Sequence, residues 1–131
     1  MSVALFFISH EGIASNLVKI GEAILQKKNS NLDYLEVPMD ASLNSMLENI
    51  ENKLSQLDTT QGLLIITDIY GGTPSNIAQK VADKHQTDLI SGINLPMVIR
   101  LLNYRNESQN SLLQKALDGA KKGIQHNSFK L

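Results

Sequence analysis

Cysteine is missing from this sequence altogether, and so is tryptophan. Without thiols there are no disulfides and no thiolate metal sites, so the fold must rest on apolar burial. An excess of either charge is also missing. Twelve Lys and Arg stand against 13 Asp and Glu, leaving a net charge of -1 with the two signs scattered. That balance argues against a nucleic acid or an anionic membrane held through charge alone. Long apolar runs are absent too. The N-terminal run Val3–Ile8 is too short for a membrane span or a signal core, and no basic segment precedes it. The expectation is a cytoplasmic protein without direct membrane insertion. Only three prolines and eight glycines punctuate the chain, and no low-complexity linker divides it. At 131 residues and 42% hydrophobic, residues 1–131 are expected to form one domain with a sizeable core.

What is present is an alternation. Four short apolar runs, VALFFI (3–8), LDYLEV (32–37), GLLIIT (62–67) and DLISGI (88–93), are separated by longer helical patterns. Most of these runs lack clean polar alternation, as in strands covered on both faces. Ile13, Leu17, Ile20 and Ile24 recur as one helical stripe, and Leu43, Met46, Leu47, Ile50, Leu54 and Leu57 as another. Ile77, Ala78, Val81 and Ala82 make a third. Met97, Val98, Leu101 and Leu102 make a short fourth, and Leu112, Leu113, Ala116, Leu117 and Ala120 a fifth. Repeated βα units predict an α/β fold: a doubly wound, mostly parallel sheet of order 2-1-3-4 with helices on both faces. Asp40 and Thr73 are the expected N-caps of the second and third helices, with Pro74 and Pro96 at the first positions of their helices. NESQNS (106–111) reads as a polar turn, and the tail QHNSFKL as a weak antiparallel edge strand.

In such a sheet, functional groups gather where strand order reverses, at the carboxyl ends of the strands. His10 follows the first strand, while Asp68 and the turn IYGGTPSN (69–76) follow the third. If those strands are neighbours, an imidazole and a carboxylate come within hydrogen-bond reach beside a glycine-rich helix start. Taken singly, each has an ordinary structural reading: a satisfied histidine, a turn-capping aspartate, a tight Gly71-Gly72 turn. Taken together, they fall on one side of one sheet. The start of the third helix offers unpaired N–H groups, the hydroxyls of Thr73 and Ser75, and glycines that let an anion approach closely. Neutral imidazole is a nucleophile near pH 7. A carboxylate accepting from its Nδ1–H leaves the Nε2 lone pair free. With an anion cradle beside it, the pattern points to phosphoryl transfer through a phosphohistidine, with no metal or other cofactor required.

Rival patterns fail on particular residues. Neither G-x-G-x-x-G nor G-x-x-x-x-G-K-[ST] nor G-x-S-x-G occurs. A phosphorylatable aspartate at Asp68 would want an acidic pair after the first strand and a lysine after a late one. Ser9, His10 and Glu11 occupy the first position, and the last strand offers no such lysine. A metal held by His10, Glu11 and Asp68 has no supporting ligand spacing. His85 and His126 are expected at the surface, His85 favoured by a helix C-terminus. A flavodoxin-like module binding a small anion non-covalently, with His10 as a contact, is the reading from another class.

Three segments, ISHEGIASNL (8–17), LDTTQGLLIITDIYGGTPSN (57–76) and DLISGINLPMVIRLL (88–102), occur in order along the chain. In them the sequence resembles the IIA component of the mannose-type (mannose/fructose/sorbose) permeases of the bacterial phosphoenolpyruvate-dependent sugar phosphotransferase system. The resemblance covers essentially the whole chain. It implies that His10 accepts a phosphoryl group from the phosphocarrier HPr and passes it to a histidine of a IIB protein. Asp68 would bond the active histidine, Thr73 would steady the phosphoryl group, and Gly92–Met97 would form another wall. Association with membrane IIC and IID components would run through IIB. It also implies a homodimer that exchanges the C-terminal edge strand. Some relatives carry a larger aromatic at position 70 and an aromatic at position 75, on a rim facing the partner. A regulatory phosphoprotein using the same His10 switch is an alternative, as is the related dihydroxyacetone-kinase phosphotransfer subunit.

Overall fold

The computed structural model describes residues 1–131. The elements run β1 (Ala4–His10), α1 (Ala14–Leu25), β2 (Leu32–Val37), α2 (Leu43–Leu54), β3 (Leu63–Thr67), α3 (Thr73–His85), β4 (Asp88–Ile90), α4 (Leu95–Asn103) and α5 (Gln109–Lys122). The four strands form one sheet in the order β2-β1-β3-β4, and every pair is parallel. The expected order is therefore the observed one. Central β1 pairs on both edges, with Ile8 beside Leu35 on one side and Thr67 on the other.

The period of two along β1 divides the core. Leu5 and Phe7 point to one face, where α1, α4 and α5 cover them with Val98, Leu101, Leu102, Leu112 and Ala116. Ala4, Phe6 and Ile8 point to the other, under α2 and α3, with Ile50, Leu54, Ile77, Ala78 and Val81. A strand buried on both faces must be apolar throughout, which is why VALFFI shows no alternation.

Several local expectations are corrected. β1 extends to His10, so the histidine is the last residue of the strand, while β4 stops at Ile90. In α1 the buried residues are Ala14, Val18 and Gly21; Ile13, Ile20 and Ile24 are 38%, 45% and 54% exposed. The reason is close approach to α4. A Cβ on Gly21 would lie 3.1 Å from both Val98 and Leu102, so the small-residue face turns inward and the larger isoleucines turn out.

Helix starts also differ. Ser42, not Asp40, precedes α2, and Gly72, not Thr73, precedes α3, which places Pro74 in the second helical position. Gly72 has φ 92° and ψ 175°, a conformation that threonine would not hold, so the helix boundary falls one residue earlier. Asn94 caps α4 by accepting from Met97 N–H at 3.0 Å, and Ser108 caps α5, shortening the NESQNS turn. Residues 124–131 form no strand in the single chain, and Ile124, Phe129 and Leu131 are exposed. An isolated strand has no hydrogen-bond partner to stabilise it. No helix is long and apolar enough to cross a membrane.

Candidate functional site

Alternation along β1 aims successive side chains at opposite faces, so Ser9 turns toward α1 and His10 toward the side of α3. Ser9 is buried and works locally: its Oγ–H donates to the His10 carbonyl and its oxygen accepts from Ala14 N–H at 3.0 Å. The imidazole of His10 stays open, 44% exposed. Asp68, the first residue past β3, reaches across the strand boundary. Its Oδ2 lies 2.7 Å from His10 Nδ1 and accepts from His10 N–H at 2.9 Å. Its Oδ1 accepts from Ile69 N–H at 2.9 Å and Thr67 Oγ–H at 3.4 Å. Burial alone would raise the Asp68 pKa. The bonds from the His10 main chain and ring and from Ile69 outweigh it and hold the carboxyl below its ordinary range. An ionised Asp68 can only accept, so in the neutral ring Nδ1 carries the proton and the lone pair falls to Nε2.

The loop after Asp68 leads directly into α3. Gly71 and Gly72 both have positive φ, 88° and 92°, which only glycine adopts without strain there. No side chain caps this helix, so the first N–H groups remain available to an outside acceptor at the positive end of the dipole. Thr73 is exposed beside them, whereas Ser75 is only 6% exposed. Ser75 is thus largely covered, although its Oγ is neither bonded nor fully buried and keeps access to the surface. Tyr70 is 85% exposed, with Ile69, Met39 and Ile13 also exposed on loops at the same end of the sheet. From the loop after β4, Ile93 N–H bonds the Thr67 carbonyl at 3.3 Å, tying that wall to β3.

The remaining sequence candidates lie elsewhere. Glu11 is exposed, and no group of three or more His, Asp or Glu side chains is arranged to hold a metal ion. His85, at the C-terminus of α3, bonds Glu51 through Nε2 at 3.0 Å, and His126 is exposed in the tail. Sequence reasoning missed Thr67, Ser9 and Glu36. The last accepts from the N–H and hydroxyl of Ser15 at 2.9 and 2.7 Å. Only the position of Ser9 and Glu36 near strand ends hinted at them. Chemically, the arrangement sets an exposed imidazole against a carboxylate that orients it, beside a helix start whose N–H groups no side chain occupies.

Comparison with known proteins places the chain in a family. A family profile described as "PTS system fructose IIA component" matches residues 4–117. The PTS system mannose-specific EIIAB component of Escherichia coli (strain K12) is 29% identical over 127 residues, covering 95% of this chain. The chain spans 39% of the length of that relative. The PTS system fructose-specific EIIA component of Bacillus subtilis (strain 168) is 25% identical over 125 residues, 95% of this chain and 83% of that protein. Among solved structures, the mannose/sorbose specific IIA subunit of the phosphotransferase system from Enterococcus faecalis shares the fold. Its TM-score is 0.84 over 100% of this chain and 98% of that one, at 18% identity. With the profile spanning most of its length, the chain belongs to the PTS system fructose IIA component family.

Proposed function

We propose that this protein is a phosphocarrier of the sugar phosphotransferase system, in which His10 holds the phosphoryl group between a donor and an acceptor protein. The observation that carries the reading is the 2.7 Å contact between His10 Nδ1 and Asp68 Oδ2, which leaves Nε2 as the attacking atom. In the forward step the P–N bond of a phosphohistidine on HPr breaks as a bond from Nε2 to phosphorus forms, and the donor imidazole leaves. The second step repeats this exchange toward a histidine of a IIB protein. Little covalent work falls to the other residues. They position the reactants and meet negative charge spread over the equatorial oxygens. Gly71, Gly72 and Ser75 would supply N–H groups, and Thr73 and Ser75 their hydroxyls. Asp68 would keep the tautomer and offset positive charge on the ring as bonds exchange.

A half-exposed imidazole, with Ile13, Met39, Ile69 and Tyr70 exposed on loops at the same end of the sheet, suits a protein partner docking over the site. Exchange with HPr would set the protein in the cytoplasm, and the exposed Ile124, Phe129 and Leu131 of the strandless tail suit a homodimer in which the tail pairs along a sheet edge of the second copy.

The test is incubation with phosphoenolpyruvate, the general phosphotransferase enzyme and HPr, followed by intact mass before and after acid. One acid-labile phosphoryl group is expected on the wild type and none on His10→Ala. A protein that stays unmodified under conditions that phosphorylate a known IIA overturns the proposal.

A further inference from the structure

Two helices begin in the turns that carry the His10–Asp68 pair: α1 follows His10, and α3 follows Asp68. Both present the positive end of a helix dipole to the same surface, and by charge alone either would attract a phosphoryl group. The two ends are not alike. At α1 three of the N–H groups are already taken. Ile13 N–H bonds the His10 carbonyl at 3.3 Å and Ala14 N–H the Ser9 hydroxyl at 3.0 Å. Ser15 N–H bonds Glu36 Oε2 at 2.9 Å, and the Gly12 N–H faces the same carboxylate and helps to hold it ionised. At α3 no side chain plays that part.

Sheet register explains how Glu36 arrives there. It is the β2 neighbour of Ser9, so both side chains rise on the α1 face and meet the helix start together, while His10 turns the other way. Burial opposes the charge of Glu36, but the bonds from Ser15, with the nearby Gly12 N–H, outweigh it and hold the carboxyl below its ordinary range.

We infer that Glu36 is a positioning residue of the phosphoryl site: its carboxylate closes the start of α1, braces the turn on which His10 rides, and so directs the phosphoryl group to the open start of α3. The role in transfer rests on the phosphocarrier reading, whereas the closing of α1 does not. Glu36 acts through the turn, without a bond to the imidazole. Removing its charge should free the amides of Gly12 and Ser15 for an anion and slacken the geometry of His10.

The experiment compares wild type with Glu36→Gln in two readouts. In an amide NMR titration with inorganic phosphate, wild-type shifts are expected to concentrate at Gly71–Ser75 and to spare Gly12 and Ser15. In Glu36→Gln, Gly12 and Ser15 should shift as well. In transfer from phospho-HPr, Glu36→Gln is expected to be slower by on the order of tenfold, from misplacement of the nucleophile, with an unchanged far-ultraviolet circular dichroism spectrum. Wild-type transfer together with unmoved Gly12 and Ser15 amides in Glu36→Gln overturns the inference. Should that variant fail to fold, the wild-type titration decides, and shifts at Gly12 and Ser15 as large as those at Gly71–Ser75 overturn it. If wild type accepts no phosphoryl group at all, the phosphocarrier reading falls, and the titration still judges Glu36.

Discussion

At His10, a single carboxylate oxygen holds both the ring and the main chain of the same residue. This double grip ties the direction of the imidazole to the end of β1. Asp68→Asn keeps the shape, but its amide can turn its NH2 to the ring and favour the wrong tautomer. Phosphoryl transfer from phospho-HPr is expected to slow by on the order of a hundredfold, with the unfolding midpoint little changed; wild-type rates would remove Asp68 from the mechanism. The same bonds make a pH prediction. Asp68 and Glu36 both sit below the ordinary carboxylate range in the folded state, so their ionised forms stabilise it. That contribution is complete above the unfolded-state values, shrinks as pH falls through the carboxylate range, and is gone below the depressed folded values. The urea midpoint should therefore fall on going from neutral pH into the acid range, and fall less in an Asp68→Asn, Glu36→Gln double variant. Equal acid sensitivity would show that these two groups do not couple to folding.

At the scale of elements, helix starts carry the information. Asn94 accepts from Met97 N–H with its oxygen and donates to the Ala120 carbonyl at 3.1 Å with its amide, joining α4 to α5. Asn94→Ala should destabilise by about 1 kcal/mol, the usual worth of an N-cap, measurable by urea unfolding. Gly72→Ala meets no steric obstacle, since nothing lies within 4 Å of the added Cβ, so its effect isolates the backbone. At φ 92° and ψ 175° the strain is expected to cost about 1–3 kcal/mol or to move the start of α3. Either outcome should weaken phosphate binding in the NMR titration. A variant of full stability with unchanged phosphate shifts would show that this glycine conformation is dispensable.

For the whole molecule, the end of the sheet opposite His10 is closed by a cation. Arg105 is 5% exposed and bonds the carbonyls of Val3, Ser30 and Asn31, which join the starts of β1 and β2 to the loop after α4. Burial pulls its pKa down to about 10, so the guanidinium remains charged at neutral pH. Arg105→Met would leave three carbonyls without these donors, at roughly 1 kcal/mol or more each, so a loss of about 3 kcal/mol is expected. Phosphoryl transfer should persist while the variant is folded, because the site lies at the other end of the strands. The tail gives the second prediction at this scale. If it pairs with another copy, removing residues 124–131 should halve the mass seen by light scattering and leave the chain folded. An unchanged mass would exclude the tail from assembly.

Strand–helix alternation was legible because each signal is local: apolar runs of strand length, stripes of helical period, proline near helix starts. The juxtaposition of His10 with Asp68 was legible because strand-end position and a simple order of strands suffice to predict it. What was not legible depends on distant neighbours. Sequence periodicity favoured the isoleucines of α1 as its inner face, yet contact with Val98 and Leu102 selected Ala14, Val18 and Gly21. Thr73 had the chemistry of a cap, but the φ of Gly72 moved the boundary. Glu36 finds Ser15 across 21 residues, and Arg105 finds Val3 across 102. Composition and period thus determined by themselves which segments are strands and which are helices, and, given a simple strand order, where a histidine could face a carboxylate. The tertiary structure alone decided which face of α1 turns inward and which carboxylate closes which helix start, because close packing and buried hydrogen bonds are settled between segments, not within them.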